Sequence, residues 1–332
     1  MIISKTPLRA SFFGGGTDFK DYYENSRYGC GSVVSAALNM YVYIMVCKRF
    51  DDKIRVCYTK NEFVDSADEI EHNIVREALK ITGIERGIDI VYSADIPLSS
   101  AGVGLASSSA LAVGVLNALY AYKGEYISPE RLAQKACEIE IERLKNPIGV
   151  QDQYACAYGG FRVYRFWADG TVTATPIGVP AENIQKLKDN LLLYYTGLTR
   201  VSSEILSEQK RGISDKTKIL DQMLEMVDTA VEGLRCGEAE RWGILLDEAW
   251  NLKKSLASKI SNSEIDRMYE RAKEAGAVGG KILGAGGGGF LLLYVPQKKR
   301  ALVMDALKDY KKVEFDFENM GSRIIFMEEH RR

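Results

Sequence analysis

The apolar pattern of "MIISKTPLRASFF" is read as an opening strand. "NMYVYIMVCKRF" and "KIRVCYT" carry the β-branched and aromatic residues of two strands, expected to pair with each other. "SADEIEHNIVREALKITG" switches to helical spacing, with Ser66 or Asp68 as its cap and Gly83 as its stop. "GIDIVYSADIP" returns to strand character and ends at Pro97. A loop of small residues follows, then an apolar helix from about Ser107 to Tyr122. The next helix begins at "SPERLAQ", where Ser128 suits the N-cap and Pro129 the first helical position. "GGFRVYRFW" and "TVTATPI" are strands, and the segment around Gly178 and Pro180 divides the chain into domains 1–180 and 181–332. The second half has three long helical stretches, beginning at Lys216, Glu238 and Asn262, and strands in "NLLLYYTG", "GFLLLYV" and "SRIIFME". Strands and helices in this order predict an α+β protein.

Composition removes several function classes. The 332 residues carry 44 Lys+Arg against 45 Asp+Glu, and the net charge of −1 gives no reason to expect nucleic acid or an anionic membrane as partner. No 18-residue uncharged apolar run is present, and the first residues lack the pattern of a signal peptide; a cytoplasmic protein is expected. The six cysteines are scattered without a CxxC pair and read as reduced, mostly buried thiols. With only His72 and His330 in the chain, zinc hydrolysis and Ser-His-Asp chemistry have little to work with. Acid–base work falls to carboxylates.

Three clusters of small residues stand out. In "IPLSSAGVGLASSSA" almost nothing exceeds serine in size before the helix begins, which suits an anion cradle: close backbone approach, free N–H groups and the positive end of a helix dipole. A flexible loop with a serine cap fits the same residues. No Gly-Lys-Ser/Thr follows, so the loop is not a Walker A. "KILGAGGGGFLLLYV" formally contains GxGxxG, but a strand follows it where a dinucleotide fold needs a helix; it reads as a glycine turn between strands. "LRASFFGGGTDFKDYY" places Gly14, Gly15, Gly16, Thr17 and Asp18 after the first strand. Asp18 could cap a helix starting at Phe19 or accept hydrogen bonds from sugar hydroxyls.

The carboxylates complete the picture. On "SPERLAQKACEIEIERLK", Arg131, Lys135, Glu138, Glu142 and Lys145 form a solvated stripe, while Glu140 falls beside Ala136, Cys137 and Leu144 on the apolar one. A carboxylate there is costly unless donors or a cation meet it; it is either a helix-end Glu reaching water or a magnesium ligand. Asp152 lies between Gln151 and Gln153 in a Pro/Gly-bounded loop, as a turn residue or as a group that takes a hydroxyl proton.

Together, "PLRASFFGGGTD", "GLASSSA" and "KILGAGGGGF" resemble, in order and spacing, the three motifs of the GHMP kinases, over nearly the whole chain. "TPLRASFFGGGTDF", "VQDQYACAYGG" and "YYTGLTRVSSEIL" look most like the branch that phosphorylates D-glycero-D-manno-heptose 7-phosphate. The resemblance implies a ribosomal protein S5-like N-terminal domain, a ferredoxin-like C-terminal domain and a site between them. It implies ATP phosphates over Gly102, Gly104, Leu105, Ala106, Ser107, Ser108 and Ser109, and magnesium on Ser108 and Glu140. Asp152 would face the acceptor hydroxyl with Arg9 beside it and the transferred phosphoryl group. Gly15, Gly16, Thr17, Asp18 and Gln151 would meet the sugar, and Gly286 and Gly287 would help shape the site. Arg200 and Ser202 suit a second anion, the substrate's own phosphate; Arg200 as a plain surface residue fits equally. Fucokinase-type or galactokinase-type activity, and a catalytically silent sugar-binding regulator, are the alternatives; a homodimer is compatible with the family. One departure is that Ala106 replaces a family glycine. Alanine does not readily take positive φ, so the loop is expected to be repositioned.

Overall fold

The strand expected at the start of the sequence is β1 (Ile2–Phe13), followed by a single helical turn, α1 (Lys20–Tyr23). In this computed structural model, which describes residues 1–96, 104–199 and 202–328, β2 (Cys30–Lys48), β3 (Ile54–Cys57) and β4 (Asn61–Val64) come next. Then follow α2 (Asn73–Thr82), β5 (Ile88–Ala94), α3 (Ser107–Tyr122) and α4 (Pro129–Cys137), which runs into a π-helical turn over Glu138–Arg143. α5 (Gln151–Tyr158), β6 (Phe161–Trp167) and β7 (Val172–Pro176) complete the first half. The second half contains α6 (Ala181–Asp189), β8 (Leu191–Tyr195), α7 (Ser202–Arg211), α8 (Thr217–Arg235), α9 (Ala239–Lys254) and α10 (Ser263–Glu274). β9 (Gly279–Ile282), β10 (Phe290–Tyr294), α11 (Arg300–Ala306), β11 (Lys311–Val313) and β12 (Arg323–Met327) end the described chain.

Two sheets organise these elements. The larger has eight strands, with β12-β1-β2-β5-β3-β4 in line and β6 and β7 branching from the far end of the long β2; the smaller runs β11-β8-β10-β9. The expected boundary near residue 180 falls between the strands of the two sheets. The last strand, however, crosses back and pairs antiparallel with β1, so the larger sheet draws on both ends of the sequence. α3 is apolar on nearly every face and is correspondingly buried, packed on β1 and β2 and surrounded by α2, α4 and α5. α8 covers the same strands, and α9 backs β9 and β10. Phe12, Phe13 and Phe161 meet Trp242 of α9 with ring centroids 5.1–5.7 Å apart, joining the two sheets in one core. Among the described residues no helix is long and apolar enough to cross a membrane.

Several local expectations are corrected. β2 and β3 do not pair: β5 lies between them, antiparallel to β2 and parallel to β3. The stretch 66–83 is not one helix. A 3₁₀ turn at Ala67–Glu69 gives way to extended Ile70, which sinks into the core, and α2 starts only after His72. The Glu62 carboxylate accepts the backbone N–H groups of Glu71 (2.6 Å) and His72 (3.2 Å), taking donors that a continuous helix would have used. Gly83, at φ +68°, ends α2 as expected. Of the six cysteines, all unpaired, two are buried, three half-buried and Cys236 exposed, so fewer are fully buried than expected.

Candidate active site

The end of β1, the start of α3, the π-helical turn, the start of α5, one face of α7 and the β9–β10 turn border one cavity of about 380 Å³. Of the residues proposed from sequence, Gly102 and Arg200 lie outside the described residues. Arg9, Gly15, Gly16, Asp18, Gly104, Ala106, Ser107–Ser109, Glu140, Gln151, Asp152 and Ser202 all line this cavity.

Ala106 immediately precedes α3 and sits in the left-handed region at φ +64°. The alanine therefore adopts the left-handed conformation that a glycine would take more readily, at a cost of about 1 kcal/mol; loop residues 97–103 before it lie outside the described residues. Flanking contacts hold it there: Ala110 N–H donates to Ala106 O (2.9 Å), and Arg9 N–H donates to Leu105 O (3.2 Å). Gly104, at φ +87°, lies so close to the β9–β10 turn that a Cβ would run into Leu283 O; Gly284 is equally close to Gly104. The glycine clusters of the two halves thus meet back to back, and each needs the missing side chain for that approach. Ser107–Ser109, the first residues of the 16-residue α3, line the cavity, so the positive end of the helix dipole lies at its wall. Ser107 Oγ is buried without a hydrogen-bond partner.

The apolar-stripe position of Glu140 is real: the residue is 1% exposed. In the π-helical turn, where Leu144 N–H donates to Ile139 O, its carboxylate is turned toward α3. Ser108 Oγ donates to Oε1 (2.5 Å), while Ser109 Oγ (2.7 Å) and Gln153 Nε2 (2.6 Å) donate to Oε2. Burial pushes the Glu140 pKa up, the three donors pull it down, and the nearby Asp152 charge raises it further. Adjacent hydroxyl and carboxylate oxygens on the cavity wall suit a hard divalent cation. Among the described residues no three His, Cys, Asp or Glu side chains are grouped to hold a metal on their own. A cation here would therefore share its coordination with a nucleotide and water.

Asp152 lies in the first turn of α5 and not in the loop expected from sequence. Arg9 grips it with one edge of its guanidinium, Nε to Oδ1 at 2.8 Å and Nη2 to Oδ2 at 2.7 Å, and donates from Nη1 to Gly104 O at 2.8 Å. Arg9 is 3% exposed and Asp152 26%, so the cation is sequestered while the carboxylate keeps a face toward the cavity. The pairing ties the strand motif, the small-residue loop and α5 together through one side chain.

Asp18 does not cap α1, which has no side-chain cap. Its carboxylate is buried, accepting from Gly16 N–H (2.9 Å) and Gln151 N–H (3.3 Å). Burial raises its pKa, the neighbouring Asp152 charge adds to this, and the Gly16 and Gln151 hydrogen bonds partly offset both. Because the folded-state pKa is raised, folding favours the protonated acid. That contribution is present at low pH and is lost as pH rises through the folded value. Thermal unfolding of wild type and Asp18→Asn between pH 4 and 7 is expected to show the difference moving in the variant's favour as pH rises; a constant difference would remove Asp18 from this role.

Other expected residues have structural work. Thr17 is buried, its Oγ1 donating to Gly14 O (2.8 Å) and Ser32 O (2.9 Å), and it does not line the cavity; neither does Leu105. Gly286 and Gly287 pack on Ile260, with Gly287 N–H donating to Ile260 O (2.7 Å); Gly284 and Ala285 reach the cavity instead. Residues that sequence reasoning missed include Ser11, Ser203, Leu206, Gln209 and Lys253. Strand alternation from Arg9 points to Ser11, and helical spacing from Ser202 points to Leu206 and Gln209. Lys253 donates to Gly284 O. Nearby, Lys281 is buried and donates to Phe12 O (2.8 Å); burial and the Lys253 and Arg9 charges push its pKa well down.

Comparison with known proteins identifies the family. Residues 72–160 match the GHMP kinases N terminal domain and residues 230–312 the GHMP kinases C terminal domain. The D-glycero-alpha-D-manno-heptose 7-phosphate kinase of Campylobacter jejuni is 31% identical over 331 residues, 95% of this chain and 96% of that protein. The L-fucokinase/L-fucose-1-P guanylyltransferase of Bacteroides fragilis is 27% identical over 91% of this chain but only 35% of its own length. A D-glycero-D-manno-heptose 1-phosphate kinase from Bacteroides thetaiotaomicron shares the fold, with a TM-score of 0.81 and 22% identity, over 99% of this chain and 100% of that one. The motifs, the two-sheet α+β architecture and a close relative along nearly the full length agree: the chain belongs to the GHMP kinases, enzymes that move a phosphoryl group from ATP to an alcohol.

Proposed function

We propose that this kinase transfers the γ-phosphoryl group of ATP to the anomeric hydroxyl of D-glycero-D-manno-heptose 7-phosphate, giving the 1,7-bisphosphate and ADP. The observation that carries the reading is the shared cavity: phosphate-binding features at the start of α3 and the Arg9–Asp152 pair line one space with the buried Asp18. The full-length similarity to a heptose 7-phosphate kinase supports this choice of acceptor.

The chain's residues have separable tasks. The α3 amides and serine hydroxyls hold the triphosphate. Asp152 accepts the anomeric proton as the acceptor oxygen bonds to the γ-phosphorus and the bond to the ADP oxygen breaks. Each Asp152 oxygen accepts one Arg9 hydrogen bond and retains lone-pair capacity for the substrate. Arg9 fixes the carboxylate and places positive charge beside the transferring group. Ser108 and Glu140 would hold magnesium, which supplies charge neutralisation on the phosphates. Ser202, at the start of α7, lines the cavity where a second phosphate could meet a helix N-terminus, with Arg200 as the accompanying cation.

A panel of sugars and sugar phosphates, each incubated with ATP and followed by ADP release and ³¹P NMR, tests the reading. The highest kcat/KM is expected for the heptose 7-phosphate, with a new anomeric phosphate signal. Failure to consume ATP with every sugar would overturn it.

A further inference from the structure

Three polar groups around Gly15 and Gly16 have no hydrogen-bond partner among the described residues. Ser11 Oγ and Gln151 Oε1 are buried and make no hydrogen bond. Gln209 is 5% exposed, lines the cavity, and its side-chain amide has no hydrogen-bond partner among the described residues. All three converge on one short stretch of backbone. A Cβ placed on Gly15 would lie 3.8 Å from Ser11 Oγ and 4.0 Å from Gln151 Nε2, and one on Gly16 would lie 2.6 Å from Gln209 Nε2. The two glycines therefore keep open a space into which these side chains point.

Buried polar groups are nearly always paired, so several unpaired ones in one patch of a cavity call for a ligand that completes them. The groups are neutral and offer both donors and acceptors, which matches hydroxyls. An anionic group would meet the Asp18 carboxylate, which already accepts the Gln151 N–H. Ser11 follows Arg9 by two residues on β1, and so projects from the same face of the strand. Gln209 comes from the other half of the chain, on the face of α7 that carries Ser202 and Leu206. We infer that Ser11 and Gln209 are further specificity-determining residues, reading the acceptor's ring hydroxyls beside the sugar contacts already expected at Gly15, Gly16 and Gln151, with Gln209 selecting the acceptor across the gap between the two halves. The inference rests on the proposed sugar kinase activity and assigns the residues that read the sugar.

The test is steady-state kinetics on the full chain with ATP and D-glycero-D-manno-heptose 7-phosphate, or whichever sugar of the panel is turned over. Gln209→Leu is expected to raise the acceptor KM about tenfold and Ser11→Ala several-fold, on the order expected for one unpaired buried group. kcat should stay within about threefold and the KM for ATP unchanged. With the wild-type protein, single-deoxy analogues of the same sugar should include one that loses about tenfold in kcat/KM; that analogue should lose little more in Gln209→Leu. The deoxy series needs no substitution and stands even if a variant fails to fold. Unchanged acceptor KM in folded variants, or uniform tolerance of every deoxy analogue, overturns the subsite while leaving the kinase reading intact. Absence of turnover with any sugar overturns the kinase reading itself.

Discussion

Replacing Asp152 by asparagine is expected to lower kcat by about 10²–10⁴-fold, the range for loss of a positioned general base, while the affinity for ATP stays within about twofold. The amide is isosteric and keeps one oxygen for Arg9, but it cannot take the acceptor's proton. It also presents an NH₂ to one of the guanidinium donors now at 2.7 and 2.8 Å. The α3 amides and serines, which hold the nucleotide, are untouched. Pre-steady-state measurement of ADP formation together with equilibrium nucleotide binding checks both halves. Wild-type turnover in the variant would refute the base assignment; loss of nucleotide binding would mean that the carboxylate acts through the loop.

Arg9→Met should have the next largest effect, with kcat reduced about 10²–10³-fold, as for removal of one preorganised charge-stabilising donor. The KM for ATP should rise as well, because the side chain also restrains Gly104 O. Removing one member of a buried pair leaves the other uncompensated, a cost of about 3–5 kcal/mol when both are fully enclosed. Asp152 is 26% exposed, so a loss of about 1–3 kcal/mol is the better expectation. Arg9→Lys separates charge from geometry: an ammonium retains the charge but cannot reproduce the two-pronged grip. Its kcat should fall between those of wild type and Arg9→Met, and equal rates for all three would remove Arg9 from the reaction.

The sequence was most legible where a periodic pattern coincided with a local signal. Ser128 and Pro129 fixed the start of α4, and the side-chain oxygen of Ser128 accepts from Arg131 N–H. Ser107 to Tyr122 was bounded to the residue, because small residues ended where an apolar run began. The stripe that placed Glu140 inward worked even though the turn is π-helical, since its neighbours three and four residues back are still apolar. What could not be read was long-range. Nothing in "KIRVCYT" shows that β5 will come between it and β2, because strand order depends on packing and connection and not on local composition. Glu62 takes the N–H of His72, ten residues downstream, and so α2 starts late through a contact invisible to periodicity. Gln209 and Lys253 reach the cavity from α7 and α9 of the second half, so their burial beside a cleft emerges only from the docking of two halves. Ala106 shows the reverse limit: a local preference correctly described was overridden by neighbours on both sides.

The return of β12 to the first sheet has a bearing on how the polypeptide is made. Met1 O accepts from Glu328 N–H, and Ile2 through Lys5 line up against residues 323–327. β1 thus has one flank that stays bare until residues 323–327 have left the ribosome, about 300 residues after its own synthesis. During that interval the nascent chain carries an unprotected strand edge, the feature through which chains adhere to one another. A ribosome-bound nascent chain stopped before residue 320 should accordingly depend on chaperones more heavily than one extended past residue 327 and released.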